Sequence, residues 1–119
     1  MAKTSPDPVG DLLPLTPAVF YILFALAEHE KHGYAIMKEV ENISGGQFTM
    51  GPATLYTTIQ RLLELGLIEE TSTSSGSERR RRSYRLSRTG RQILEAELNR
   101  MESLVRSAQR RKLVPREAR

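Results

Sequence analysis

The stretch that decides the fold runs from Phe48 to Gly66, FTMGPATLYTTIQRLLELG. Pro52 suits the first turn of a helix, where its missing donor costs nothing, and Gly66 suits the left-handed position that ends one. Between them Leu55, Ile59 and Leu62 fall on one stripe by the four-then-three spacing of an amphipathic helix, with Leu63 at its edge. The opposite side carries Thr54, Thr57, Gln60, Arg61 and Glu64. Burying the stripe therefore turns these polar side chains outward.

Working upstream, a second helix is expected from about Tyr34 to Ile43, with Ile36, Val40 and Ile43 on one face, ending at Ser44-Gly45-Gly46. Two short helices joined by a glycine-containing connection, the second polar outward, form a helix-turn-helix. Further upstream, Thr16 can cap a helix that Pro17 opens. The residues AVFYILFALAEHE extend this helix to about His29, and it is apolar on nearly every side. Such a helix must be wrapped, here by its own domain and a partner subunit together.

Working downstream, LIEET and RRSYRL read as the two strands of a hairpin around the polar loop STSSGSE. A final helix follows from Arg88 to about Lys112. Leu94, Leu98, Met101, Val105 and Ala108 are spaced four, three, four, three along it, and Ile93 and Leu104 widen that seam. The commonest cover for such a stripe is the same helix of a second copy. The expected fold class is mainly α, a winged helix-turn-helix with a two-stranded β wing and a long C-terminal dimerisation helix. The expected division is a flexible tail at 1–11, the DNA-binding domain at 12–87, the dimerisation helix at 88–112 and a second tail at 113–119.

Composition narrows the function classes. A chain of 119 residues with 39% hydrophobic and 27% charged residues suits one soluble domain, and the absence of cysteine removes disulfides, thiol chemistry and thiolate metal sites. The uncharged stretch from Leu12 to Ala27 holds Pro14 and Pro17 and is shorter than the roughly 20 apolar residues that span a bilayer, so no membrane partner is expected and the localisation expected is cytoplasmic. Net charge is +4, unevenly distributed. Residues 1–50 carry three basic and six acidic side chains, residues 51–94 carry eight and four, and residues 95–119 carry seven and four. The positive field belongs to the C-terminal two-thirds and favours a polyanionic partner.

Seven arginines stand between Arg79 and Arg91 with no acid among them, four of them consecutive at Arg79, Arg80, Arg81 and Arg82. Guanidinium groups carry a fixed charge and a fork of donors matched to phosphate oxygens. On the third helix Thr54, Tyr56, Thr57, Thr58 and Arg61 offer hydroxyls, a phenol and a guanidinium to phosphates and base edges. The alternative for Tyr56 is to pack its ring against the wing or another helix, and for the arginine run to form a solvated surface. His29 and His32 are the only histidines, and with no close ligand pattern such as H-E-x-x-H no metal is expected. No cofactor is expected either, since Gly45-Gly46 lacks the lysine of a phosphate loop. The serines have no glycine elbow, so no enzymatic activity is expected.

Three segments in order, HGYAIMKEV (32–40), ATLYTTIQRLLELGLIEE (53–70) and RRRRSYRLSRTGRQIL (79–94), resemble the PadR family of winged-helix transcriptional regulators. His32, Gly33 and Tyr34 match that family's opening of the second helix. Thr54, Leu55 and Tyr56 match its recognition-helix opening, where Ala53 stands in place of a glycine and Thr57 in place of a proline. Arg81 and Arg82 match its basic wing, Tyr84 and Leu86 the tyrosine and leucine after it, and Thr89 and Gly90 the threonine-glycine pair beyond. The resemblance implies a short-form member with one C-terminal helix that makes the dimer. It also implies a repressor relieved by a small aromatic or cationic effector near the dimer interface, although the stacking tryptophan of some multidrug-sensing relatives has no counterpart in a chain without tryptophan.

The reading these features support is a sequence-specific, homodimeric repressor that binds a palindromic operator in double-stranded DNA. The alternative is a winged-helix module that binds protein, for which the acidic N-terminal third would suit.

Overall fold

The computed structural model describes residues 12–71 and 82–115. Its elements in chain order are α1 (Pro17–Ala25), β1 (Lys31–His32), α2 (Gly33–Ile43), α3 (Pro52–Glu64), β2 (Ile68–Thr71), β3 (Ser83–Leu86) and α4 (Arg88–Arg110). This is a winged helix-turn-helix followed by a long C-terminal helix, and three of its features differ from the sequence reading.

The first is the extent of α1. The Thr16 hydroxyl accepts from the Val19 amide at 3.3 Å and Pro17 opens the helix, but regular structure stops at Ala25 rather than near His29. The Arg91 guanidinium reaches the Ala27 carbonyl at 2.7 Å, satisfying one acceptor freed at that end.

The second is the wing. Lys31–His32 forms a short strand on the other edge of β3, so the expected two-stranded hairpin is a three-stranded antiparallel sheet in the order β1-β3-β2. Lys31 lies opposite Tyr84 and His32 opposite Ser83, while Ile68 to Thr71 pair with Leu86 to Ser83. The His32 ring and the Ser83 hydroxyl share a hydrogen bond of 2.9 Å across β1 and β3. Two residues carry too little alternation to register as a strand alone; β3's open edge recruits them.

The third is the place of α4. Its first turns belong to the same core as the helix-turn-helix, because Ile93 and Leu94 are buried with Ile22, Leu23, Leu26, Ile36, Val40, Leu55, Ile59, Leu62, Leu67 and Ile68. The boundary expected at residue 88 thus cuts through one continuous core. The stripes expected on α2 and α3 lie in it, with Ile43 and Leu63 half-buried at its rim.

Helix ends give these elements sharp limits. After α2 the Gly46 amide donates to the Glu41 carbonyl at 2.8 Å and Gly45 to Asn42 at 3.2 Å, with Gly45 at φ 64°. The same pattern ends α3, where Leu67 donates to Leu62 at 2.9 Å and Gly66 to Leu63 at 3.1 Å, with Gly66 at φ 77°. A residue without Cβ adopts this left-handed conformation free of the clash an L side chain meets. The connection between α2 and α3 is further held by Ser44, whose hydroxyl both accepts from the Phe48 amide and lies 3.1 Å from the Phe48 carbonyl. Phe48 in turn stacks on Tyr21 of α1 at a ring separation of 5.2 Å.

Candidate nucleic-acid interface

The site is built outward from α3. Leu55, Ile59 and Leu62 are at most 2% exposed and pin the helix to α1 and α2. Thr54, Thr57, Gln60 and Arg61 are consequently exposed on its outer side. Thr54 and Thr57 line a shallow groove with Ala53 and Thr58, and Thr57 and Arg61 line the next one with Tyr56, Gln60 and Glu64. Thr58 is half-buried, and its hydroxyl donates to the Thr54 carbonyl one turn earlier at 2.8 Å. Its proton is already engaged, which leaves the lone pairs as the free function of that side chain.

Tyr56 divides its surface. It is 47% exposed, with its hydroxyl and ring edge against the first residue of α2 at Gly33. The ring edge thus packs against another helix, one of the two readings of this residue from the sequence, while about half of the side chain stays open to solvent.

Beside α3 lies the wing. Arg79, Arg80 and Arg81 fall outside the described residues; Arg82 is described and exposed. Its Nε stands 3.4 Å from the Glu70 carboxylate, and Arg85 pairs with Glu69 at 3.0 Å. Exposed pairs of this kind are worth only about 0–1 kcal/mol, so a phosphate can displace the carboxylate at little cost. Behind them Tyr84 is 4% exposed, and burial above all, then Glu70 and Tyr56, pushes its phenol above the ordinary range while Arg82 opposes them. Tyr84 stays a neutral buried ring that carries the wing on the helical core.

The first position of the seam expected on α4 lies elsewhere than expected. Leu94 is 3% exposed inside its own domain, because α4 begins by packing on α1. The free stripe starts at Leu98, which is 36% exposed, and continues through half-buried Met101 and Ala108 with exposed Leu104 and Val105. From Leu98 to Arg110 the helix extends for roughly 20 Å at the usual rise.

Where the covered and free parts meet sits a residue that sequence reasoning passed over. Glu97 is 1% exposed, accepts from the Leu15 amide at 3.1 Å, and is gripped by Arg100 at 2.7 and 3.0 Å. The Arg100 hydrogen bonds hold its carboxyl below the ordinary value against the effect of burial. An acid one turn from Leu94 reads as surface in one dimension, and its partner Leu15 arrives from far upstream.

His32 engages Ser83 and His29 lies against the Glu30 carbonyl. Among the described residues no group of three acids or histidines could hold a metal ion, and no helix is long and apolar enough to cross a membrane.

Known proteins place this arrangement. The transcriptional regulator YqjI of Escherichia coli is 30% identical over 83 residues, covering 70% of this chain and 38% of YqjI. An uncharacterized 37.1 kDa protein in transposon TN4556 of Streptomyces fradiae is 34% identical over 87 residues, covering 73% of this chain and 24% of that protein. The chain thus spans well under half the length of these two relatives. Among solved structures, RosR of H. salinarum superposes with a TM-score of 0.66 at 27% identity, covering 78% of this chain and 79% of that one. PadR of Bacillus subtilis, solved in complex with operator DNA, gives a TM-score of 0.63 at 25% identity, covering 71% of this chain and 47% of PadR. Residues 22–96, more than half of the chain, match the family model of the PadR-like transcriptional regulators. The chain belongs to the PadR-like family, whose members are transcriptional regulators rather than enzymes.

Proposed function

We propose that this chain is a homodimeric repressor that binds a palindromic operator, with α3 in the major groove and the arginine wing on the adjacent phosphates. The observation that carries this reading is the outer face of α3, where Thr54, Thr57 and Arg61 stand exposed on a helix whose other side is locked into the core. Thr54 and Thr57 offer hydroxyls and methyl groups suited to base edges, and Arg61 offers the fork that fits guanine or phosphate. The operator complex of the similar B. subtilis PadR supports the same use of this fold.

Dimerisation follows from the apolar stripe of Leu98, Met101, Leu104, Val105 and Ala108, which a second α4 would cover. A two-fold pair then presents two α3 helices in opposite directions, and half-site centres about 34–36 Å apart would match one turn of DNA. A small effector seated near the seam would release the operator if it favoured a pair whose α3 helices are differently spaced.

Selection from a random duplex library, run on the full chain and on Thr57→Ala, tests this reading. The expected result is a palindromic motif whose preference shifts at a few symmetric positions in the variant, each lost contact being worth about 1–3 kcal/mol. Binding to that duplex should weaken steeply with salt as counterions are released. Recovery of no motif and no salt-dependent duplex binding would return the fold to the alternative of a protein-binding module.

A further inference from the structure

We infer that Gly33 is a positioning residue for Tyr56, and that it sets the attitude of that phenol on the outer surface of α3 by having no side chain. The inference rests on α3 being the DNA-facing helix and names a determinant of that surface lying on another element.

Gly33 opens α2 and is buried, yet its backbone lies outside the left-handed region that favours glycine. Conformation gives no reason for a glycine here, and alanine is the better helix former. Space gives the reason. A Cβ at position 33 would overlap the Tyr56 hydroxyl and stand 2.8 Å from Cζ and 3.1 Å from Cε1 of the ring. Nothing closer than the side chain of Tyr56 limits this position.

Neither backbone can retreat from that contact. On one side His32 is paired with Ser83 in the sheet and bonded to it through its ring. On the other side Leu55, adjacent to Tyr56, is fully buried, and Ile59 is 2% exposed. Both walls of the notch are fixed by the sheet and the core, so a methyl group at position 33 would have to be accommodated by the Tyr56 side chain. The ring would swing out across the groove it shares with Thr57, Gln60 and Arg61, the surface offered to a duplex.

A double-mutant cycle on the whole 119-residue chain tests this, using Gly33→Ala, Tyr56→Ala and both together. Affinity is measured by fluorescence anisotropy on the duplex recovered by selection, at a temperature where each variant is folded. Melting temperature is measured without DNA. Each single change should weaken binding on the order of tenfold, about the effect of one hydrogen bond to a charged group, while the double variant should bind no worse than Tyr56→Ala alone. Gly33→Ala should also lower the melting temperature in the presence of Tyr56, whereas in its absence it should leave it unchanged or raise it, since alanine is the better helix former. If Gly33→Ala does not fold, a folded double variant that matches Tyr56→Ala supports the inference, and a double variant that also fails to fold overturns it. Wild-type affinity in Gly33→Ala, or losses that multiply in the double variant, would overturn it as well. Failure of the wild-type chain to bind any duplex would instead remove the DNA-facing reading of α3, and the melting cycle would then decide on its own whether Gly33 seats Tyr56.

Discussion

The backbone of Gly90, in the first turn of α4, lies directly on the carbonyl of Leu67, where the chain leaves α3 for the wing; any Cβ at position 90 would overlap that oxygen. Ser87 ties the same corner together. Its hydroxyl donates to the Gly66 carbonyl at 2.6 Å and accepts from the Gly90 amide at 3.0 Å, while its own amide donates to Leu67 at 3.0 Å. The end of α3, the root of the wing and the start of α4 therefore share one junction.

Because the atom facing Gly90 is backbone, it cannot swing away as a side chain can. Gly90→Ala is expected to destabilise the fold by about 1–3 kcal/mol, the usual cost of overpacking. Urea denaturation checks this, and a midpoint equal to wild type would mean that the junction yields freely.

Lys112 follows α4 in the left-handed conformation, at φ 64°, while Leu113 and Lys112 donate back to Ala108 and Gln109 at 2.8 and 3.0 Å. An L side chain pays roughly 1–2 kcal/mol for that backbone. Lys112→Gly should relieve this strain and raise stability by about 1 kcal/mol, less whatever the freer unfolded chain takes back. The readout is a rise in melting temperature, and a fall would show that the lysine's side chain outweighs its backbone.

Glu97 sets a pH dependence. Its carboxyl is held below the ordinary value of 4.5, chiefly by Arg100, so the folded state binds its proton less readily than the unfolded state. Stability from this group is therefore fully present above about pH 4.5 and is lost as pH falls through the lowered folded value. Glu97→Gln should be less stable than wild type at neutral pH, and the gap should close on acidification. Denaturation at pH 7 and near pH 3 measures both ends, and a gap independent of pH would show that the charge contributes nothing.

The free part of α4 and its buried part should respond differently to charge. Replacing Leu98 and Val105 together by Asp is expected to leave a folded monomer, seen as a halved mass in light scattering, and to weaken duplex binding through loss of the linked half-site. Leu94→Asp should unfold the chain instead, because that side chain is only 3% exposed in its own core. An unchanged dimer mass in the double variant would move the subunit interface elsewhere.

Periodicity along single helices was enough to read α2, α3 and α4. Each carries a stripe whose spacing is a local property, so Ile36, Val40, Leu55, Ile59 and Leu62 were legible as core before any neighbour was known. The outward threonines of α3 came with them, since burying one side of a helix exposes the other. Lys31–His32, Glu97 and Leu94 lie beyond that kind of reading. A two-residue strand exists only because β3 offers an edge, and a glutamate is buried only because Leu15 and Arg100 satisfy it there. Leu94 continues the seam in spacing, and the crossing of α1 over α4 decides that it belongs to the core.

The sequence by itself determined the order of helices and wing, the polar outer face of α3 and the concentration of arginine after it, because propensity, caps and hydrophobic spacing act over a few residues. Only the tertiary structure decided where the free stripe of α4 begins, that the wing has a third strand, that Gly90 must lack a side chain and that a Cβ at Gly33 would meet the Tyr56 ring. Those outcomes depend on which distant atoms meet: the Tyr56 ring at Gly33 and the Leu67 carbonyl at Gly90 occupy the space a Cβ would need.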